Sequence, residues 1–161
     1  MKDLRITREV AMMQTALIWS QRSTCYRRAV GAVIAIDNRI VSCGYNGAPA
    51  GQPHCDGSGC VPPGQTGCGR AIHAEVNAIN YLPDNTDHVY KSMYTTESPC
   101  LACATFISQH KFSSVHYLNE YRDPAGIKFL ICQGVAVYRM TLGGYIARKY
   151  IIDHGPLVEV T

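Results

Sequence analysis

Four side chains near the middle of the chain could do chemistry together. His73 and Glu75 stand two apart in His73-Ala74-Glu75, and Cys100 and Cys103 stand three apart in Pro99-Cys100-Leu101-Ala102-Cys103. Cysteines at that spacing share one face of a helix. Ser98-Pro99 ahead of them reads as the helix start, with Ser98 as cap and Pro99 in the first turn. The dipole at such an end favours thiolates. One neutral imidazole and two thiolates suit tetrahedral zinc and leave its fourth position open. A water there has its pKa lowered toward ~7. Glu75 is close enough to exchange protons with that water. From the three ligands alone, a closed structural site completed by another cysteine stays open as the alternative.

The rest of the sequence must position these groups. Thr7 can cap a helix in which Val10, Met13, Leu17 and Ile18 recur at helical spacing up to about Gln21. Ala29–Ile36 and Arg39–Gly44 read as strands joined by an Asp37-Asn38 hairpin turn. Residues 46–70 form a long irregular Gly/Pro/Cys-rich stretch. A short buried helix then runs to about Leu82, and Met93–Thr96 is a strand. The Ser98-Pro99 helix reaches His110, Val115–Leu118 is a strand, and Asp123-Pro124 starts a helix that Gly134 stops. Val135–Tyr138 is the fifth strand, with a short helix expected near Tyr145–Ile151. Alternating strands and helices imply an α/β fold: a three-layer αβα sandwich around a mixed five-stranded sheet. In such sheets, sites sit at the carboxyl ends of strands, where both chemical motifs fall.

The bulk properties narrow the partners. The 161 residues carry a net charge of +3, with 47% hydrophobic and 17% charged residues, which fits a single folded domain over 1–161. The mild positive charge suits an anionic small ligand; no nucleic-acid partner is expected. The charged start of the chain has no apolar leader and no run spans a membrane, so a cytoplasmic location with reduced thiols is expected. Metal binding then explains the eight cysteines better than disulfides do.

His-x-Glu followed by Pro-Cys-x-x-Cys is the signature of zinc deaminases, with the glutamate as acid/base and not a ligand. With it, the sequence resembles the cytidine deaminase-like superfamily, and within it the deoxycytidylate (dCMP) deaminase family. The resemblance is carried by Val30-Gly31-Ala32-Val33-Ile34, Gly44-Tyr45-Asn46-Gly47-Ala48-Pro49-Ala50-Gly51, His73–Ile79 and Ser98–Ala104. It implies hydrolysis of dCMP to dUMP, a homohexamer, activation by dCTP with Mg2+ and inhibition by dTTP. It implies that Asn46 contacts the sugar hydroxyl; the bland reading is a turn residue before Gly47. Arg27 is the candidate for the substrate phosphate, because a guanidinium suits a dianion. Tyr121 and Arg122 are weaker candidates beside an ordinary-loop reading. Gly47, Pro49, Gly51 and Tyr81 are candidates for an effector site, Tyr81 against a packing role.

Cys25, Cys55, Cys60 and Cys68 flank or occupy the irregular stretch at about 47–70. The resemblance implies a second, structural zinc there, with four cysteines as one ligand set and His54 as a substitute for one of them; free thiols are the alternative. Cys43 and Cys132 are expected to be buried free thiols. The competing functions are deamination of dCTP, cytidine, guanine or tRNA adenosine, and a non-catalytic zinc-binding module.

Overall fold

The computed structural model describes residues 6–55, 68–84, 86, 90–146 and 149–157. Its elements are α1 (Arg8–Ser20), β1 (Gly31–Ile36), β2 (Arg39–Tyr45), α2 (Ala74–Asn80), β3 (Lys91–Glu97), α3 (Leu101–Gln109), β4 (Ser114–Asn119), α4 (Ala125–Cys132), β5 (Ala136–Ile146) and β6 (Lys149–Leu157).

Local chemistry explains most boundaries. The Thr7 hydroxyl accepts the Val10 N–H at 3.3 Å and starts α1. Asp37 and Asn38 both take positive φ, 48° and 61°, as a two-residue hairpin turn of this hand requires. They set the β1–β2 register at Ile36↔Arg39 and Ala35↔Ile40, and a shift between Ile34 and Ala35 then carries it to Ile34↔Ser42 through Gly31↔Tyr45. Gly134, with φ 78°, follows the C-cap of α4.

The sheet order is β2-β1-β3-β4-β5-β6. β3, β4 and β5 are parallel neighbours, while β1–β2, β1–β3 and β5–β6 are antiparallel. The expected mixed five-stranded sheet is present as β1 to β5, and β6 extends it at one edge. That sixth strand corrects the helix expected at Tyr145–Ile151. Gly143 pairs with Ile151 and Ile146 with Lys149. The β-branched and aromatic residues Tyr145, Ile146, Tyr150, Ile151 and Ile152 favour this extended pairing.

Strand alternation divides the core into two layers. On one face Val33, Ala35, Tyr94, Leu118 and Met140 bury against Val10, Met12, Met13 and Ala16 of α1. On the other, Ala32, Ile34, Met93, Val115, Tyr117 and Val137 pack under α2, α3 and α4 through Ala78, Ile107 and Leu130. Cys132 is exposed, correcting the buried thiol expected there. It lies off the inward stripe that Gly126, Ile127 and Leu130 make on α4. Cys43 is half-buried on β2, an edge strand.

Two glycines seat these helices. A Cβ on Gly44 would lie 2.4 Å from the Ala74 carbonyl oxygen, so β2 lies backbone to backbone against α2. A Cβ on Gly126 would lie 2.1 Å from the Pro99 carbonyl oxygen, so α4 touches the peptide that carries Cys100.

Candidate active site

His73 and Cys100 are the N-cap residues of α2 and α3, both in extended backbone conformation. The strand-like segment entering α2 is fixed by a two-way bridge: Gly47 N–H to the Ile72 carbonyl at 3.1 Å and Ile72 N–H to the Gly47 carbonyl at 2.8 Å. The Asn77 amide donates to the Tyr45 carbonyl at 2.7 Å, tying the same helix to β2. The cap of α3 is thus Cys100, two residues beyond the expected Ser98. Pairing of β3 with β4 continues to Glu97↔Asn119, and the Ser98 N–H donates to the Asn119 carbonyl at 2.8 Å, which keeps Ser98 extended. Its hydroxyl instead accepts the Tyr121 N–H at 2.8 Å.

The two helix starts bring the donors together. His73 Nδ1 lies 3.2 Å from Cys103 Sγ and 3.6 Å from Cys100 Sγ. All three ligand atoms fall within 4.8 Å of one another. A tetrahedral zinc with ordinary Zn–N and Zn–S bonds separates its nitrogen and sulfur ligands by about 3.5 Å. The donor set therefore fits zinc, and among the described residues no fourth ligand joins the group. Hydrogen bonds couple the protons of the three donors. The neighbouring Cys103 thiol and His73 hold Cys100 down at about 4. The hydrogen bond to Cys100 and burial push Cys103 up, and the hydrogen bond to Cys100 raises His73 against the opposing pull of burial. A divalent cation substitutes for those shared protons.

Glu75 is 4% exposed in the first turn of α2. Burial raises its carboxyl above the ordinary range, while its backbone amide and His73 oppose the shift. A dry carboxyl beside a metal-type donor set is suited to carrying protons at neutral pH.

A cleft of about 320 Å³ opens onto these groups, and Asn46, Arg27, His73, Glu75, Cys100, Tyr121 and Arg122 all border it. Cys103 is buried behind its neighbours. Asn46 holds the entry to β1: its Oδ1 accepts the Val30 N–H at 2.8 Å and the Ser23 hydroxyl at 2.7 Å, and its Nδ2 donates to the Arg28 carbonyl at 2.8 Å. Those bonds leave one amide N–H.

Sequence reasoning missed Arg28 and Glu97, which also border the cleft. Arg28 Nη1 donates to Glu97 Oε2 at 2.8 Å, and the Asn119 amide donates to Glu97 Oε1 at 3.2 Å. Arg28 and Arg122 lie 5.9 and 5.5 Å from the Tyr121 ring centre. Burial raises the Glu97 carboxyl, opposed by Arg28 and Asn119. The available signal was position: Glu97 ends a parallel strand, three residues before the first cysteine.

A second cleft, of about 480 Å³, gathers Gly47, Pro49, Gly51 and Tyr81 with Trp19, Tyr45 and Asn77. Tyr81 is 75% exposed, unlike a packing aromatic. Of the other cysteines, Cys25 and Cys68 border the first cleft as free thiols. Cys55 is disulfide-bonded, and Cys60 lies outside the described residues.

A three-layer αβα fold with a His/Cys/Cys group at two helix starts and a buried glutamate beside it defines a hydrolytic deaminase of the zinc class. The comparisons agree. Residues 6–119 match the family model for the cytidine and deoxycytidylate deaminase zinc-binding region. ComE operon protein 2 of Bacillus subtilis is 37% identical over 142 residues, covering 86% of this chain and 74% of that protein. The deoxycytidylate deaminase of Mycobacterium phage D29 is 41% identical over 112 residues, 63% of this chain and 86% of that one. Among solved structures, the dCMP deaminase of cyanophage S-TIM5 in complex with dCMP and dUMP superposes with a TM-score of 0.70 at 34% identity, over 81% of this chain and 94% of that one. The chain belongs to the cytidine and deoxycytidylate deaminase family.

Proposed function

We propose that this protein hydrolyses dCMP to dUMP and ammonia. The observation that carries the reading is one cleft holding the His73/Cys100/Cys103 donor set, the buried Glu75 and a rim of arginines. A zinc ion held by His73, Cys100 and Cys103 supplies, when bound, the Lewis acidity that activates water. Glu75 takes the proton of the attacking water and places it on the ring nitrogen beside the reacting carbon. The new carbon–oxygen bond forms as that nitrogen is protonated. Glu75 then takes the second proton from the newly added hydroxyl and delivers it to the amine, the carbon–nitrogen bond breaks as the carbonyl forms, and ammonia leaves. The spare Asn46 N–H serves the sugar hydroxyl, and Arg27, Tyr121 and Arg122 serve the phosphate end.

The remaining assignments rest on the same reading. The domain spans 1–161, supported by one sheet that runs from Gly31 to Leu157. Gly47, Pro49, Gly51 and Tyr81 form the site for dCTP or dTTP with Mg2+, supported by their shared cleft. The assembly is a homohexamer and the location cytoplasmic; no helix among the described residues is long and apolar enough to cross a membrane. When Cys55 is reduced, Cys25, Cys55, Cys60 and Cys68 bind a second, structural zinc. The Cys55 N–H donates to the Thr24 carbonyl at 3.2 Å, which brings the first two of these segments together. A disulfide at Cys55 and a zinc–thiolate site use the same sulfur, so metal content under reducing conditions distinguishes them.

The test is ammonia release from dCMP, dCTP, cytidine, guanine and tRNA, with and without dCTP and dTTP as effectors. Turnover of dCMP above the other substrates is expected. Turnover of tRNA with none on dCMP would overturn the assignment.

A further inference from the structure

Arg28 is held at both ends. Its carbonyl is fixed by Asn46 at 2.8 Å, and its guanidinium by Glu97 at 2.8 Å. Glu97 is anchored in turn. Its side chain is only 15% exposed, against 53% for Arg28. Its other oxygen accepts from Asn119, whose amide also donates to the Thr96 carbonyl at 3.1 Å. The restraint therefore runs from β4 through Glu97 to a guanidinium that would otherwise move freely in solvent. The Tyr121 ring, 5.9 Å away, gives the guanidinium a face to rest on.

A single contact through Nη1 leaves Arg28 with four of its five N–H donors. An isolated surface ion pair adds little stability, so this one is better explained by what it orients. Ordering a long side chain before a ligand arrives removes that cost from binding. We propose that Glu97 is a positioning residue, which holds Arg28 at the cleft as a preordered clamp for the substrate's 5′-phosphate. The inference rests on the reading of this cleft as a deoxycytidine monophosphate site. It adds Arg28 to that site as a phosphate-binding residue and gives Glu97 a role through it.

The experiment compares dCMP with deoxycytidine, which has the same base and sugar and no phosphate. Glu97→Gln preserves shape and removes the charge that fixes Arg28. The expected result is a KM for dCMP raised about five- to tenfold, the size of the penalty for ordering one rotamer-rich side chain. The dCMP-over-deoxycytidine ratio of kcat/KM should fall by the same factor. Arg28→Ala should lower that ratio further, and adding Glu97→Gln to it should lower it no more, because Glu97 acts through Arg28. A lowered KM for dCMP in Glu97→Gln would overturn the proposal, since it would mean that Glu97 competes with phosphate for Arg28. So would an equal loss on both substrates, which is the mark of a merely structural role. A wild-type enzyme that does not deaminate dCMP would instead remove the functional reading itself, a distinct outcome seen before any variant is made.

Discussion

The cleft has two ends built on different principles. At its floor, His73, Cys100 and Cys103 stand at two helix starts and Glu75 in the first turn, and Glu75 and Cys103 are nearly closed to solvent. At its mouth, Arg27, Arg28, Tyr121 and Arg122 come from connecting segments, and Arg28 stays half-open to water. Burial gives the floor its perturbed acid–base behaviour, because charges there are poorly solvated. Exposure makes the mouth a place where binding depends on how well long side chains are held. The floor should therefore govern turnover, and the mouth should govern affinity and selectivity.

Variants can break or sharpen that division. Cys103→Ser should give the largest effect: loss of zinc by elemental analysis and turnover falling to background, with no recovery on raising substrate. Glu75→Gln should retain zinc yet lower kcat by about 10²–10⁴-fold with little change in KM, the range for a general acid–base group. Normal turnover in that variant would remove Glu75 from the mechanism. Asn46→Ala joins the two ends. It leaves the Val30 N–H and the Arg28 carbonyl without their partner and should destabilise the protein by about 2 kcal/mol, read from denaturant unfolding. Arg27→Ala should be the mildest, weakening dCMP binding by about 1.5 kcal/mol through KM while kcat is nearly kept. A kcat effect at Arg27 as large as that at Glu75 would dissolve the distinction between floor and mouth.

The floor was legible in the sequence for the same reason that it is rigid. Helical periodicity converts a spacing of three into a shared face, so Cys100 and Cys103 could be paired by number alone. The strands and helices that carry the site followed from alternation, caps and turn chemistry at Thr7, Asp37-Asn38 and Gly134. The mouth was not legible in that way. The Arg28–Glu97 pair spans 69 positions and depends on the β1–β3 pairing, which no local pattern reports. The start of α3 was misplaced because Ser98 is a good cap by type, while the hydrogen bond to Asn119 keeps it in the sheet. At the far end, the aromatic and β-branched content of Tyr145–Ile152 outweighed the helical reading because an antiparallel partner was available.

The contact of Gly126 with the Pro99 peptide bears on manufacturing tolerance. Side chains fit together with some slack, since a crowded rotamer can swing aside; two backbones in direct contact have almost none. The carrier of Cys100 is thus gauged against α4 at a thickness that even one methyl group exceeds, with a carbonyl oxygen 2.1 Å from where that carbon would sit. The spacing between α4 and the peptide that carries Cys100 is set by the width of a bare main chain, a dimension that does not drift when the surrounding hydrophobic residues are exchanged. This part of the protein can accept a changed core more readily than a single added carbon on one glycine.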